Sequence, residues 1–550
     1  MATDNKYDRQ LRLWGAQGQR ALSEAHVLLL GAGPAGTETL KNLVLPGVGR
    51  FTVVDDAVVE ARDLGNNFFV RKSDIGRPRA AATAELLEEL NPDARGAHRV
   101  AKIADLVHKE PQFIRQHTLV VAAQVDPQTL QQLGELCWAA NLPLVVCRSY
   151  GLLGSVRLQI RSLDIVESKS ENKRWDLRLR EPFPELEKVI NALDLDALDD
   201  HAHAHVPWVL LLAKAAQAWR AQHDGASPKT RSEKDAFRKE IANGARKLAS
   251  NVPELNFEEA AREAHRAWAD PRELPYEAQQ AFDHASETAK RARRGSDVSS
   301  SHEGAPPTIS ALALRAVAAF QQAHAGLPPV AGPIPDMHAD TTSFVHLQRL
   351  YRDRAAADLA KVRAHFDALV SDARGAAPSA EDLEVLMLVC KHVGDVRHVS
   401  TKSLADELVA PDLAEAAFEA LMEDDEPKLK PQAPICWYAG LRAVDRFFVK
   451  QGRYPGVDSE TLAADARALA DELRAFVAEA GAAEALGAVL ADAHAEELAR
   501  FGAAELHTVA SVVGGVAAQE AVKVIARQYE PVDHTYVFNG IAGLGGVVAC

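Results

Sequence analysis

Short apolar runs alternate with amphipathic stretches through the first part of the chain. His26-Val27-Leu28-Leu29-Leu30 is an apolar run of strand type that stops at a glycine cluster. Residues 37–45 have helical spacing and end at Pro46-Gly47-Val48-Gly49, after which Phe51-Thr52-Val53-Val54-Asp55 reads as a second strand. Residues 119–123 and 142–147 repeat the buried-strand pattern. Strands alternating with helices predict a parallel sheet. From about residue 182 to about residue 500 the pattern changes to long Ala/Glu/Leu/Arg-rich segments with helical spacing, such as 207–222, 232–249 and 460–480. The Ser/Gly/Pro-rich stretch 294–307 and Glu423-Asp424-Asp425-Glu426-Pro427 read as connections. The α/β character returns at the end, with a helix expected over 508–527 and a closing strand over 535–538. No fixed-period repeat is visible. The expected fold is α/β: a Rossmann-like domain formed by residues 1–170 and 501–550, interrupted by a mostly helical insertion over 171–500.

Composition narrows the function classes. The 550 residues are 47% apolar and 25% charged, ordinary values for a globular protein of several domains. A formal charge of −15 repels phosphate backbones and anionic lipid, so neither nucleic acid nor a membrane is an expected partner, while a basic partner remains open. The opening Met1-Ala-Thr-Asp-Asn-Lys-Tyr has no apolar core, so no secretory signal is expected. Charges interrupt the alanine-rich helices, so no membrane span is expected either. Five scattered cysteines, with no Cys-x-x-Cys pair, fit a reducing compartment, cytoplasmic or nuclear, and exclude the usual structural zinc sites.

Gly31-Ala32-Gly33-Pro34-Ala35-Gly36 matches G-x-G-x-x-G between a strand and a helix, with Asp55 at the end of the next strand. Glycines let backbone N–H groups approach phosphate, the helix N-terminus adds partial positive charge, and the acid suits a ribose hydroxyl. The same glycines also serve close strand–helix packing with no ligand at all. A nicotinamide or flavin oxidoreductase is one reading, although no His–Asp or Tyr–Lys arrangement downstream supports it. His201-Ala202-His203-Ala204-His205 would offer zinc three imidazoles only as a strand. Asp199-Asp200 before it and Pro207 after it favour a loop leading into a helix, so no metal site is expected. Arg291-Ala292-Arg293-Arg294 reads as a solvated helix end.

Tyr7-Asp8-Arg9-Gln10-Leu11-Arg12-Leu13-Trp14-Gly15, just ahead of the glycine loop, resembles the opening motif of the ubiquitin-like activating enzymes. Asp63-Leu64-Gly65-Asn66-Asn67-Phe68-Phe69, Cys147-Arg148-Ser149-Tyr150-Gly151, Gly332-Pro333-Ile334-Pro335-Asp336-Met337, Leu441-Arg442-Ala443-Val444-Asp445-Arg446-Phe447, Gly452-Arg453-Tyr454-Pro455-Gly456 and Gly514-Gly515-Val516-Ala517-Ala518-Gln519-Glu520 extend the resemblance in order along the chain. Together they are similar to the regulatory subunits of the heterodimeric enzymes that start neddylation. The resemblance implies an adenylation-type, ThiF-like domain interrupted by a helical domain that corresponds to the catalytic-cysteine domain but lacks the cysteine. It also implies a cysteine-bearing partner subunit that binds ATP and magnesium, adenylates a Nedd/Rub-type ubiquitin-like modifier and loads it as a thioester. A conjugating enzyme then carries the modifier to cullins.

Against the active members, this chain departs at the phosphate site. Their Asn-x-Asn-Arg-Gln segment corresponds to Gly65-Asn66-Asn67-Phe68-Phe69, which has no arginine. An expected lysine is Arg79, and Asp126 aligns with the magnesium aspartate but is followed by Pro127. Losing the arginine removes charge-assisted hydrogen bonds of about 1.5–3 kcal/mol each. Gly31, Gly33, Gly36, Asp55, Arg79 and Asp126 therefore outline a vestigial nucleotide pocket, and no cofactor is expected on this chain alone. Cys137, Cys147 and Cys390 read as buried, Cys436 and Cys550 as surface residues, and none has a thioester context. The resemblance implies that Arg9 reaches across to the partner's nucleotide; the alternative for Arg9 is an intrachain surface ion pair. A self-sufficient adenylating homodimer is the other alternative for the whole.

Overall fold

The computed structural model describes residues 6–169, 176–246, 254–294, 307–409, 413–422 and 430–549. The connections expected over 295–306 and 423–427, the side chains of Arg291, Arg293 and Arg294, and Cys550 lie outside the described residues. The chain divides into two compact units, residues 1–165 with 399–550, and residues 166–398.

The first unit is built on an eight-stranded sheet. Its strands are β1 (His26–Leu30), β2 (Arg50–Val54), β3 (Arg95–Arg99), β4 (Leu119–Ala123), β5 (Leu144–Tyr150), β6 (Leu153–Gln159), β7 (Thr535–Asn539) and β8 (Leu544–Val548). Their order is β8-β7-β6-β5-β4-β1-β2-β3. The five strands β3, β2, β1, β4 and β5 are parallel, as the alternating pattern predicts. The rest of the sheet is antiparallel. Only Gly151-Leu152 separates β5 from β6, too short a link for a parallel crossover, so the chain must turn back; Gly151 supplies the positive φ of +58°.

Helices α1 (Asp8–Glu24), α2 (Pro34–Val44) and α3 (Arg79–Leu90) flank the parallel half. The helix His507–Ala526 buries Val509, Val513, Ala517 and Ala521 in the same core as β1, β5 and β6. Among the described residues it is the one helix long and apolar enough to cross a membrane, contrary to the expectation that none would be, yet most of it is buried as a core helix. Its two motif glycines divide the work. A Cβ on Gly514 would stand 2.7 Å from Glu38 Cβ, so this glycine permits the close crossing with α2, whereas Gly515 faces open space.

The helical insertion ends at His398 rather than at residue 500. Helices Pro434–Gln451, Leu462–Glu479 and Asp492–Phe501 belong to the α/β unit, because Ile435, Trp437, Val444 and Leu473 share one core with Tyr150, Leu153, Val537 and Val548 from the antiparallel strands. Helical spacing reports an apolar face, not what covers it. The Gly452–Gly456 motif is a clasp in this region: Arg453 holds Asp465 in two hydrogen bonds of 2.6 and 2.8 Å, and Gly456 N and Thr461 Oγ1 donate to the same carboxylate. The Arg453 hydrogen bonds lead in lowering the Asp465 pKa to about 2. A depressed carboxyl stabilises the fold above its unfolded value near 4, and that contribution is lost as pH falls toward 2. With the Arg453 side chain 38% exposed, Asp465→Asn is expected to cost about 1 kcal/mol at pH 7 after allowing for screening. Melting curves of the two chains should converge as the buffer is taken from pH 7 to pH 3, and a gap that does not narrow would refute the clasp.

The second unit is helical. The 34-residue helix Thr341–Arg374 serves two cores in succession. Leu347 and Tyr351 join Trp208, Leu212, Phe237 and Phe257, while Val362, Phe366 and Val370 join Phe282, Leu312 and Val389. The three alternating histidines lie on and beside a one-turn helix, Asp200–Ala204, instead of a loop. His203 is buried against Glu254 at 2.9 Å, whereas His201 and His205 stack with ring centroids 4.3 Å apart, so the imidazoles do not converge.

Candidate nucleotide pocket and an exposed arginine

In the order β2-β1-β4-β5 the chain leaves β1 and β4 in opposite directions, and the glycine loop sits at that switch point. Gly31 has φ +94°, and a Cβ there would collide with the carbonyl oxygen of Ala123 at the end of β4. Gly36 lies in the first turn of α2, where a Cβ would run into Gly31 O and approach Ala123 Cβ to 2.9 Å. Gly31→Ala is therefore expected to destabilise the α/β unit by about 2–3 kcal/mol, seen as a lower melting temperature. Unchanged melting would mean the turn is not constrained as described.

Asp55, Arg79 and the Ala35 N–H are already paired within the chain. Asp55, 4% exposed, accepts from Ala32 N at 2.7 Å and Ala57 N at 2.8 Å. Arg79, the first residue of α3, donates to the same carboxylate through Nη2 at 2.8 Å and lies 3.6 Å from Asp63. Asn67 donates to Ala32 O at 3.0 Å and so ties the loop to the segment where active members carry arginine. The N–H of Ala35, in the first turn of α2, donates to Glu505 Oε1 at 3.1 Å. A Cβ on Gly33 would overlap the other carboxylate oxygen of Glu505. Burial pushes the Glu505 pKa up to about 7, against the Ala35 N–H and Arg79, which favour the charge.

Asp126 stands apart from this cluster in its bonding. It caps the helix Pro127–Ala139, accepting from Thr129 N at 2.9 Å. Within β5, Arg148 binds Asp445 at 2.7 Å and packs over the rings of Tyr150 and Tyr454. Glycines, Asp55 and Arg79 thus come together as the sequence predicts, but around a carboxylate that the sequence reading did not single out.

The opening motif is held at both ends. Tyr7 OH donates to Asp93 at 3.0 Å and accepts from Asn91 Nδ2 at 3.0 Å. Trp14 is buried, its Nε1 donating to Gln19 and its carbonyl accepting from Gln528 Nε2 at 2.8 Å. Gly15 then breaks α1 with φ 69° and ψ 177°. Between these anchors Arg12 pairs with Asp8 at 2.8 Å, while Arg9 is exposed and enters no ion pair among the described residues.

Against known proteins, the ThiF family profile matches residues 7–544. The NEDD8-activating enzyme E1 regulatory subunit of Xenopus laevis is 37% identical over 540 residues, covering 98% of this chain and 97% of its own length. That of Gallus gallus is 38% identical over 542 residues with the same coverage. The Arabidopsis thaliana regulatory subunit AXR1 is 34% identical over 538 residues, 98% of this chain and 94% of its own. The chain belongs to the NEDD8-activating enzyme E1 regulatory subunits of the ThiF family. Among solved structures, E. coli tRNA N6-threonylcarbamoyladenosine dehydratase, TcdA, in complex with AMP is 20% identical and covers 28% of this chain and 66% of its own, at a TM-score of 0.26.

In this regulatory subunit the thiols are as informative as the pocket. Cys137, Cys147, Cys390 and Cys436 are all buried, and burial pushes each pKa up to about 12. Cys436, expected at the surface, is instead fully covered within the helix Pro434–Gln451. A thiol with such a pKa supplies almost no thiolate at neutral pH.

Proposed function

We propose that this regulatory subunit performs no adenylation or thioester chemistry alone and instead completes the active site of a catalytic partner. The observation that carries the reading is the state of the thiols: the four described cysteines are buried and held protonated. Thioester capture needs an accessible thiolate, so that step falls to the partner. The self-filled glycine loop supports the reading that the nucleotide belongs to the partner as well. ATP and magnesium are then bound by the cysteine-bearing subunit, which adenylates the Nedd/Rub-type modifier and passes it to a conjugating enzyme for cullins, in cytoplasm or nucleus.

Arg9 is the group this chain contributes. A guanidinium on a helical turn anchored at Tyr7 and Trp14 is presented from a fixed backbone, with no carboxylate partner to leave among the described residues. Such a donor suits charge developing on phosphate in another chain's site. Beside it, Gln10, Trp14, Leu45, Pro46, Gly515 and Gln519 line a groove of about 360 Å³, and Leu13 and Leu45 are each 47% exposed. This apolar face supports a docking surface for the partner next to Arg9.

Mixing experiments test the proposal. The chain alone should form no thioester with a ubiquitin-like modifier and show no ATP–pyrophosphate exchange, and both activities should appear when the catalytic subunit is added. Thioester on the isolated chain would overturn it.

A further inference from the structure

The first turn of α2 is capped from far away. Its N-cap residue, Gly33, has no side chain to accept an N–H, and Pro34 has none to donate. The first N–H of the helix, from Ala35, goes to Glu505 at 3.1 Å across 470 positions of sequence. Glu505 is itself held on both sides: Asn66 Nδ2 donates to its carbonyl at 3.0 Å, and its backbone pairs in parallel with Gly151. Its second carboxylate oxygen fills the space that the missing Cβ of Gly33 leaves. A carboxylate at a helix N-terminus, in the concavity of a glycine loop and near Arg79, stands where an anionic phosphate oxygen would bind.

We infer that the glycine loop is an intact anion site whose resident ligand is Glu505, and that this carboxylate, rather than decay of the loop, keeps nucleoside phosphates out. The inference deepens the reading of an idle pocket in this subunit and names the group responsible. Two effects act together: the Glu505 carboxyl group fills the approach to the Ala35 N–H on the Gly33 side, and wherever it is ionised its negative charge opposes a second anion in the same low-dielectric space. The chemical class the emptied site takes is a nucleoside diphosphate or free phosphate, which meets the loop through backbone N–H groups and Arg79 and needs no base recognition.

Titration of the full chain with ADP, followed by calorimetry and by the shift in melting temperature, tests this directly. Glu505→Ala is expected to bind ADP at least about tenfold more tightly than the natural chain, in line with recovery of a charge-assisted hydrogen bond. Gly33→Ala added to Glu505→Ala should abolish the gain, because the new methyl refills the vacated space; at φ −70° the alanine is unstrained. Glu505→Gln keeps the shape without the charge and should show a smaller gain, providing a readout if the alanine variant folds poorly. No gain in a folded Glu505→Ala or Glu505→Gln chain, or a gain that survives Gly33→Ala, overturns the inference and leaves Glu505 as a helix cap only. Failure here does not touch the role of Arg9, which is measured by exchange in the assembled pair.

Discussion

Arg9→Ala is expected to slow ATP–pyrophosphate exchange by the assembled heterodimer about 100-fold while the two subunits still co-elute. The magnitude follows from removing one donor aimed at developing charge in a dry site. Assembly should survive because the apolar groove beside Arg9 and the two anchors of its helix, Tyr7 and Trp14, are left in place. Arg9→Lys keeps the charge but loses the planar fork, so partial recovery is expected, with kcat more affected than the apparent KM for ATP. Full exchange activity in Arg9→Ala would remove this side chain from the chemistry. Loss of co-elution would reassign it to the interface.

The largest effect on stability is expected at Arg157. This β6 side chain is 6% exposed and binds Glu407, 4% exposed, at 2.6 Å, while its Nη2 donates to Lys402 O at 2.9 Å. Tyr438 OH donates to the other Glu407 oxygen at 2.5 Å. Burial alone would raise the Glu407 pKa, yet Arg157 and Arg442 bring it below the ordinary value. Arg157→Ala strands a buried carboxylate and is expected to cost about 3–5 kcal/mol, lowering the melting temperature of the α/β unit by several degrees. Replacing both partners with apolar residues, Arg157→Met with Glu407→Leu, should cost far less, since no charge is left unpaired. Equal losses for the single and double changes would show that the pair stabilises beyond compensating its own desolvation.

Local pattern carried the parallel half of the sheet. β1, β2 and β4 are apolar runs beside turn residues, and the loop at Gly31 declares itself because its glycines are needed for a positive φ and a close backbone approach. β3 escaped notice because Arg95-Gly-Ala-His-Arg99 is an edge strand with little of its surface buried. β6 and β8 did so because glycine and polar residues interrupt their alternation. The helices between residues 434 and 501 gave the right secondary structure and the wrong allegiance, since the face they bury is completed by Tyr150, Leu153 and Val537. Gly33 and Asp55 were legible together from motif and spacing, and Arg79 joined them through the family resemblance. Glu505 was not, for it sits in no motif and meets Ala35 only through the fold. The nearest sequence signal was negative: a glycine N-cap followed by proline leaves a helix start without a local acceptor.

The sheet's antiparallel end has a consequence for biosynthesis. Residues 153–157 of β6 acquire their outer neighbour from residues 535–539. On the ribosome, a nascent chain therefore displays an unprotected strand rim for most of its translation, the kind of surface on which chaperones act and foreign strands nucleate aggregates. A product truncated upstream of residue 535 lacks the strand that covers this rim, which exposes it to aggregation and proteolysis.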